Sequence, residues 1–169
     1  MNKAQKIFGI SGWKDSGKTT LTAALVAEMT SRGLSISTVK HAHHEFDVDQ
    51  PGTDSFKHRQ SGAQEVMLSS SKRFALMHEI IADEDEPDLD ELVAKMKPVD
   101  LILVEGFKFS DFPKLQVIRA QSRKNAGSGK IKNVIAIASD DLDSTIDSRP
   151  VYHIDDIENI ADFIMDYFK

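Results

Sequence analysis

Gly12, Gly17, Lys18 and Thr19 stand in the spacing G-x-x-x-x-G-K-[ST], the Walker A phosphate loop. Each residue type has a chemical task at that spacing. Glycines let backbone N–H groups turn inward on an anion, and the N-terminus of the helix that follows adds partial positive charge. Lys18 reaches toward β- and γ-phosphates, and the Thr19 hydroxyl takes a position on Mg²⁺. Trp13, Lys14, Asp15 and Ser16 complete the loop, and Thr20 follows it into the helix. The apolar run Ile7–Ile10 precedes the loop, and Leu21–Met29, free of Gly and Pro, follows it. Strand, glycine loop and helix in that order are the context in which the motif binds phosphate.

Other residues extend this chemistry. An acid that holds Mg²⁺ ends an apolar strand beside the loop-bearing one. Glu105 does so after Leu101–Val104, and Gly106 next to it allows close approach of the backbone. Lys18 and Glu105 are therefore the candidate catalytic pair, and Thr19 and Glu105 the candidate metal ligands. Asp100 opens the same strand and belongs at the opposite edge of the sheet. Lys40-His41-Ala42-His43-His44, with Asp47, Asp49 and Asp54 beyond, reads as a polar loop facing the phosphate pocket. On that reading Lys40 and His41 contact anionic oxygens and the acids hold a cation or a partner; the alternative is an exposed polar loop without a ligand. The histidine spacing fits no standard zinc pattern, and the chain has no cysteine. Arg119, Arg123, Lys124, Lys130 and Lys132 surround a Gly-Ser loop and read either as a mobile basic lid over phosphate or as a solvated charged loop. Asn-Lys-x-Asp, the usual guanine-reading motif, does not occur. Ser139-Asp140-Asp141 ends a late strand, where an Asp either caps the loop or accepts from guanine N–H groups.

These residues must be positioned by alternating strands and helices. The pattern predicts strands at about 6–11, 34–40, 65–68, 73–81, 100–105, 115–120 and 133–138, with a hairpin turn at 69–72. It predicts helices at about 17–31, 53–61, 88–96 and 155–167. Asp88 with Glu91, and Asp155 with Glu158, have capping-box spacing. Asp83–Pro87 reads as an acidic connector. The fold class that follows is α/β: a phosphate-loop NTPase-type, mostly parallel sheet flanked by helices, with a β-hairpin in mid-chain. Its nucleotide lies at the carboxyl ends of the strands.

A length of 169 residues suits one nucleotide-binding domain spanning 1–169. The net charge of −6 argues against a broad nucleic-acid surface. No apolar run approaches the roughly 20 residues of a membrane span, and the N-terminus has no signal-peptide pattern. Without cysteine there is no disulfide or thiol chemistry, which fits a cytoplasmic protein.

The phosphate loop, Val39–His44, Phe46–Ser55 (F-D-V-D-Q-P-G-T-D-S) and Leu101–Lys108 (L-I-L-V-E-G-F-K) resemble, in order and spacing, the MobB family of molybdopterin-guanine dinucleotide biosynthesis accessory proteins. The similarity covers about residues 6–140. It implies a cytoplasmic, homodimeric GTP-binding protein with weak GTPase activity. Such a protein assists the guanylyltransferase that joins GMP to molybdopterin, with molybdopterin itself as a further possible contact. By the same resemblance Gly12, Gly17, Lys18 and Thr19 hold phosphates and Mg²⁺, and Glu105 and Gly106 close the metal side. Lys40, His41 and 47–55 match a family motif without an assigned role. Trp13 stands where a related subclass carries a signature lysine. The residues alone leave open two other readings, an ATP-dependent small-molecule kinase and a module in which nucleotide is only structural.

Overall fold

The computed structural model describes residues 5–42, 46–82, 84–121, 130–143 and 148–169. Contacts divide the chain into two compact units, Met1–Ala42 with Pro98–Lys169, and His43–Lys97.

The first unit is built on a six-stranded sheet in the order β2-β5-β1-β6-β7-β8. Its strands are β1 (Ile7–Gly12), β2 (Ile36–Lys40), β5 (Leu101–Glu105), β6 (Lys114–Ile118), β7 (Val134–Ser139) and β8 (Val151–His153). Every pairing in it is parallel. The continuous apolar run of β5 is explained by its place between β1 and β2, where all five residues are buried. Helix α1 (Lys18–Ser31) buries Leu21, Leu25 and Met29, spaced four apart on one face. Helix α4 (Ile157–Tyr167) buries Ile160, Ala161 and Ile164. The two helices pack together and share a core with Phe8, Ile10, Leu103 and Leu115 of the sheet.

Gly9 in the middle of β1 has a steric reason. A Cβ there would lie 2.6 Å from the Phe112 ring and 2.7 Å from Lys114 Cγ. Lys114 is fully buried. Its ammonium donates to the carbonyls of Ser110 and Phe112 and lies 4.0 Å from the centre of the Phe112 ring. Burial, opposed by Asp111, lowers its pKa to about 8.

The second unit holds α2 (Asp54–Gln60), the antiparallel hairpin β3 (Glu65–Ser69) and β4 (Phe74–His78), and α3 (Leu89–Ala94). Thr53 caps α2, its hydroxyl accepting from Phe56 N–H. Asp88 and Glu91 form the capping box anticipated for α3. Arg59 donates to Asp47 (2.7 Å), Asp49 (3.2 Å) and Glu79 (2.8 Å). Asp49 also accepts from the hydroxyls of Ser55 and Thr53 and from Gln50 N–H. Burial opposes ionisation of Asp49, but these donors outweigh it and its pKa lies below the ordinary value.

The sheet, the hairpin and the four helices agree with the expected fold class. The expected strand 73–81 is shorter, with β4 ending at His78, and further local expectations are corrected. β8 was not anticipated, because three residues between Pro150 and Ile154 carry too short a pattern. Strand β6 begins at Lys114 rather than Leu115 and ends at Ile118. The cap of α4 is Asp156, not Asp155, and it makes no side-chain bond to the helix backbone. A turn in which Asp156 N–H donates to His153 carbonyl (2.9 Å) places the helix start one residue later. Asp155 is left with its side chain 80% exposed.

Candidate functional site

The phosphate-loop residues fall where a strand, a turn and a helix hand the chain over. Gly12 ends β1, Trp13–Ser16 form the turn, Gly17 is the N-cap of α1, and Lys18, Thr19 and Thr20 open the helix. Asp15 (φ 60°) and Gly17 (φ 91°) are left-handed, which curls the backbone back on itself. No space exists for a larger residue at Gly12: a Cβ would lie 2.6 Å from both Ser16 Oγ and Val117 O. Lys18 folds over this turn, its ammonium donating to the Trp13 carbonyl at 2.7 Å. Burial lowers its pKa, with Glu105 and Asp15 opposing and Lys108 and Lys40 adding to the shift. Ser16 Oγ is buried and has no hydrogen-bond partner among the described residues, which leaves its hydroxyl available inside the loop.

The sheet order brings the other candidates to the same rim. Lys40 ends β2 and Glu105 ends β5, in register with one another. Thr19 donates its hydroxyl to Glu105 Oε1 at 2.8 Å. Lys40 Nζ lies 3.4 Å from Glu105 Oε1 and 3.4 Å from Thr19 Oγ1. A hydroxyl and a carboxylate are hard oxygen donors of the kind Mg²⁺ takes, and here the Lys40 ammonium lies beside both. Gly106 (φ 101°) turns sharply after Glu105. Its carbonyl accepts from the Ser11 hydroxyl at 2.7 Å, and a Cβ on it would lie 3.0 Å from His41 Cβ. His41 donates its N–H to the Glu105 carbonyl (3.0 Å) and packs on Phe107 with ring centres 5.0 Å apart. Lys18, Thr19, Lys40, His41, Glu105 and Gly106 thus converge, although 21 to 86 residues separate the bonded pairs.

The remaining candidates have partners of their own. Asp100 is at the far end of β5, its carboxylate taking Ser35 N–H (2.8 Å) and hydroxyl (2.6 Å). Asp47 and Asp49 are bound to Arg59, and Asp54 pairs with Lys57 at 3.2 Å. Among the described residues no group of three His, Cys, Asp or Glu is placed to hold a metal ion. His43 and His44, and Arg123 and Lys124 of the basic loop, lie outside the described residues. Asp140 accepts from Ala120 N–H at 2.9 Å, and Ser139 and Asp141 bond to one another.

Two neighbours of the loop had no such role in the sequence reading. Lys108 lies over the Trp13 ring, 4.5 Å from its centre. Arg119, which the sequence groups with a lid, follows β6 and packs on Gly17: its Nε would be 2.8 Å from a Gly17 Cβ. Only the adjacency of β1 and β6 reveals it.

Comparison with known proteins bears on the family and the fold. A family model described as MobB, molybdopterin guanine dinucleotide synthesis protein B, matches residues 7–140. The molybdopterin-guanine dinucleotide biosynthesis adapter protein of Escherichia coli (strain K12) is 37% identical, over 96% of this chain and 93% of its own length. The protein of that name from Haemophilus influenzae is 34% identical, over 97% of this chain and 90% of its own. A crystal structure of molybdopterin-guanine biosynthesis protein B superposes with a TM-score of 0.71 at 27% identity, covering 95% of this chain and 99% of that one.

Proposed function

This chain belongs to the MobB family, the adapter proteins of molybdopterin-guanine dinucleotide biosynthesis, and from that premise we propose that it is a GTP-binding accessory protein with slow hydrolysis. The observation that carries the nucleotide reading is the meeting of Lys18, Thr19 and Glu105 at a glycine loop closed to any side chain at Gly12. Gly12–Thr20 would hold the phosphates, with Lys40, His41 and Gly106 on the γ-phosphate side. Thr19 and Glu105 would hold Mg²⁺, which supplies charge neutralisation on phosphate oxygens when bound. Lys40 is a positioning charge at that pair: it keeps the buried Glu105 carboxylate compensated. The family role implies a guanylyltransferase as partner, with molybdopterin carried on it, and a second copy of this chain. Exposed apolar residues on the hairpin support the latter: Met67 is 63% and Phe74 65% exposed. No helix of the described residues is long and apolar enough to cross a membrane.

The test is a titration with GTP and separately with ATP, each with Mg²⁺, followed by Trp13 fluorescence and by calorimetry, with Lys18→Ala as control. The expected result is saturable GTP binding that the control weakens about 100-fold or more. Preference for ATP would sink the reading.

A further inference from the structure

One cavity of the first unit adjoins the phosphate loop and extends away from it. It has a volume of about 150 Å³ and is lined by Gly17, Thr20, Leu21 and Ala24 of α1, Arg119 after β6, and Ile154, Asp155 and Ile157 after β8. Resting on the nucleotide reading above, we infer that this cavity takes the purine base, and that Asp155 is the residue that distinguishes guanine from adenine.

Position is the first argument. Gly17 and Thr20 belong both to the phosphate loop and to the cavity wall, so a nucleotide whose phosphates sit on the loop has its nucleoside end here. The cavity also lies at the carboxyl ends of parallel strands, the crevice side of such a sheet. Chemistry is the second. Leu21, Ala24, Ile154 and Ile157 give apolar walls for a flat ring. Arg119 adds a planar guanidinium, which stacks on π-faces better than an ammonium does. Asp155 is the carboxylate of the lining, and its side chain is 80% exposed, open to a ligand. His153 Nδ1, 3.7 Å from its carboxylate and accepting its backbone N–H, steadies it.

Guanine presents two adjacent donors, N1–H and the 2-amino group, and a carboxylate accepts both. Adenine presents a lone pair at N1 and no amino group at C2, so the same carboxylate is repelled. Asp140, the alternative suggested by its place after β7, instead accepts from Ala120 N–H and holds that loop.

The experiment is calorimetry with Mg²⁺ and GTP, XTP, ATP or inorganic tripolyphosphate on the full chain, Asp155→Asn and Ala24→Trp. An asparagine amide accepts from xanthine N1–H and donates to its C2 carbonyl, which guanine lacks. Asp155→Asn is therefore expected to lose about 10- to 100-fold in GTP affinity and to prefer XTP. Ala24→Trp fills the cavity and is expected to lower GTP affinity to that of tripolyphosphate. Tripolyphosphate binding in each variant shows that the loop is folded. If Asp155→Asn keeps the unaltered chain's GTP-to-XTP ratio, or Ala24→Trp keeps its GTP affinity, the base lies elsewhere and the inference is overturned. If the unaltered chain binds neither tripolyphosphate nor any nucleotide, the nucleotide reading itself fails first.

Discussion

At the scale of residues, the site is a set of charges that balance one another at short range. Glu105 is buried, and a buried carboxylate is costly unless compensated. Thr19 donates to it and Lys40 lies 3.4 Å away. Lys18, its charge disfavoured by burial, has the Trp13 carbonyl as acceptor. A phosphate would give Lys18 a charged partner in place of a neutral carbonyl. In the proposed Mg²⁺ site, removal of the Thr19 hydroxyl would take away one of the metal's two protein ligands. Thr19→Ala is expected to weaken nucleotide binding about 10-fold or more when Mg²⁺ is present and to leave binding in EDTA unchanged. Equal losses with and without Mg²⁺, measured by calorimetry, would remove Thr19 from the metal's coordination.

At the scale of elements, the hairpin of the second unit is held by a titratable staple. His78 on β4 bonds to Glu65 on β3 (2.9 Å) and to Glu84 (3.0 Å), and those two carboxylates, Glu65 first, raise its pKa. The folded chain therefore binds this proton more tightly than the unfolded one. The stabilisation is complete below the unfolded value of about 6.5 and is lost as pH rises through the raised folded value. Both contacts are solvent-exposed, so the effect is small. The melting temperature is expected to fall between pH 6 and pH 8.5 by more in the unaltered protein than in His78→Gln. Identical pH profiles from thermal melts would show that the staple carries no stability. Arg59 needs no such pH window: its hydrogen bonds to Glu79 and Asp47 hold it charged throughout.

At the scale of the whole molecule, the second unit presents apolar surface. A two-stranded sheet alone is marginal in water, and β3 and β4 carry Met67, Leu68, Phe74 and Leu76 with 43 to 65% of their surface exposed. Self-association through this hairpin would cover them. Phe74→Glu is expected to shift the protein from dimer to monomer in light scattering while nucleotide binding to the first unit persists. A monomeric unaltered protein, or an unaltered dimer in the variant, would dismiss the hairpin as the contact.

Local chemistry determined much of this protein in advance. The phosphate loop was readable because its glycines and lysine have local tasks. The capping box of α3 was readable because Asp88 and Glu91 are three residues apart. β5 was readable because burial on both faces leaves an uninterrupted apolar run. Sequence similarity added the family, which no periodicity could supply. What tertiary structure decided are the meetings between distant segments. Strand order set Lys40 and Glu105 in register, put Arg119 against Gly17, and placed Asp155 on a cavity wall rather than on a helix cap. Parallel strands joined by long crossovers bring together residues 86 apart at the Thr19–Glu105 bond and 95 apart at the Ser11–Gly106 bond. No local pattern encodes such proximity, because it depends on which strands pair and not on what either segment prefers alone.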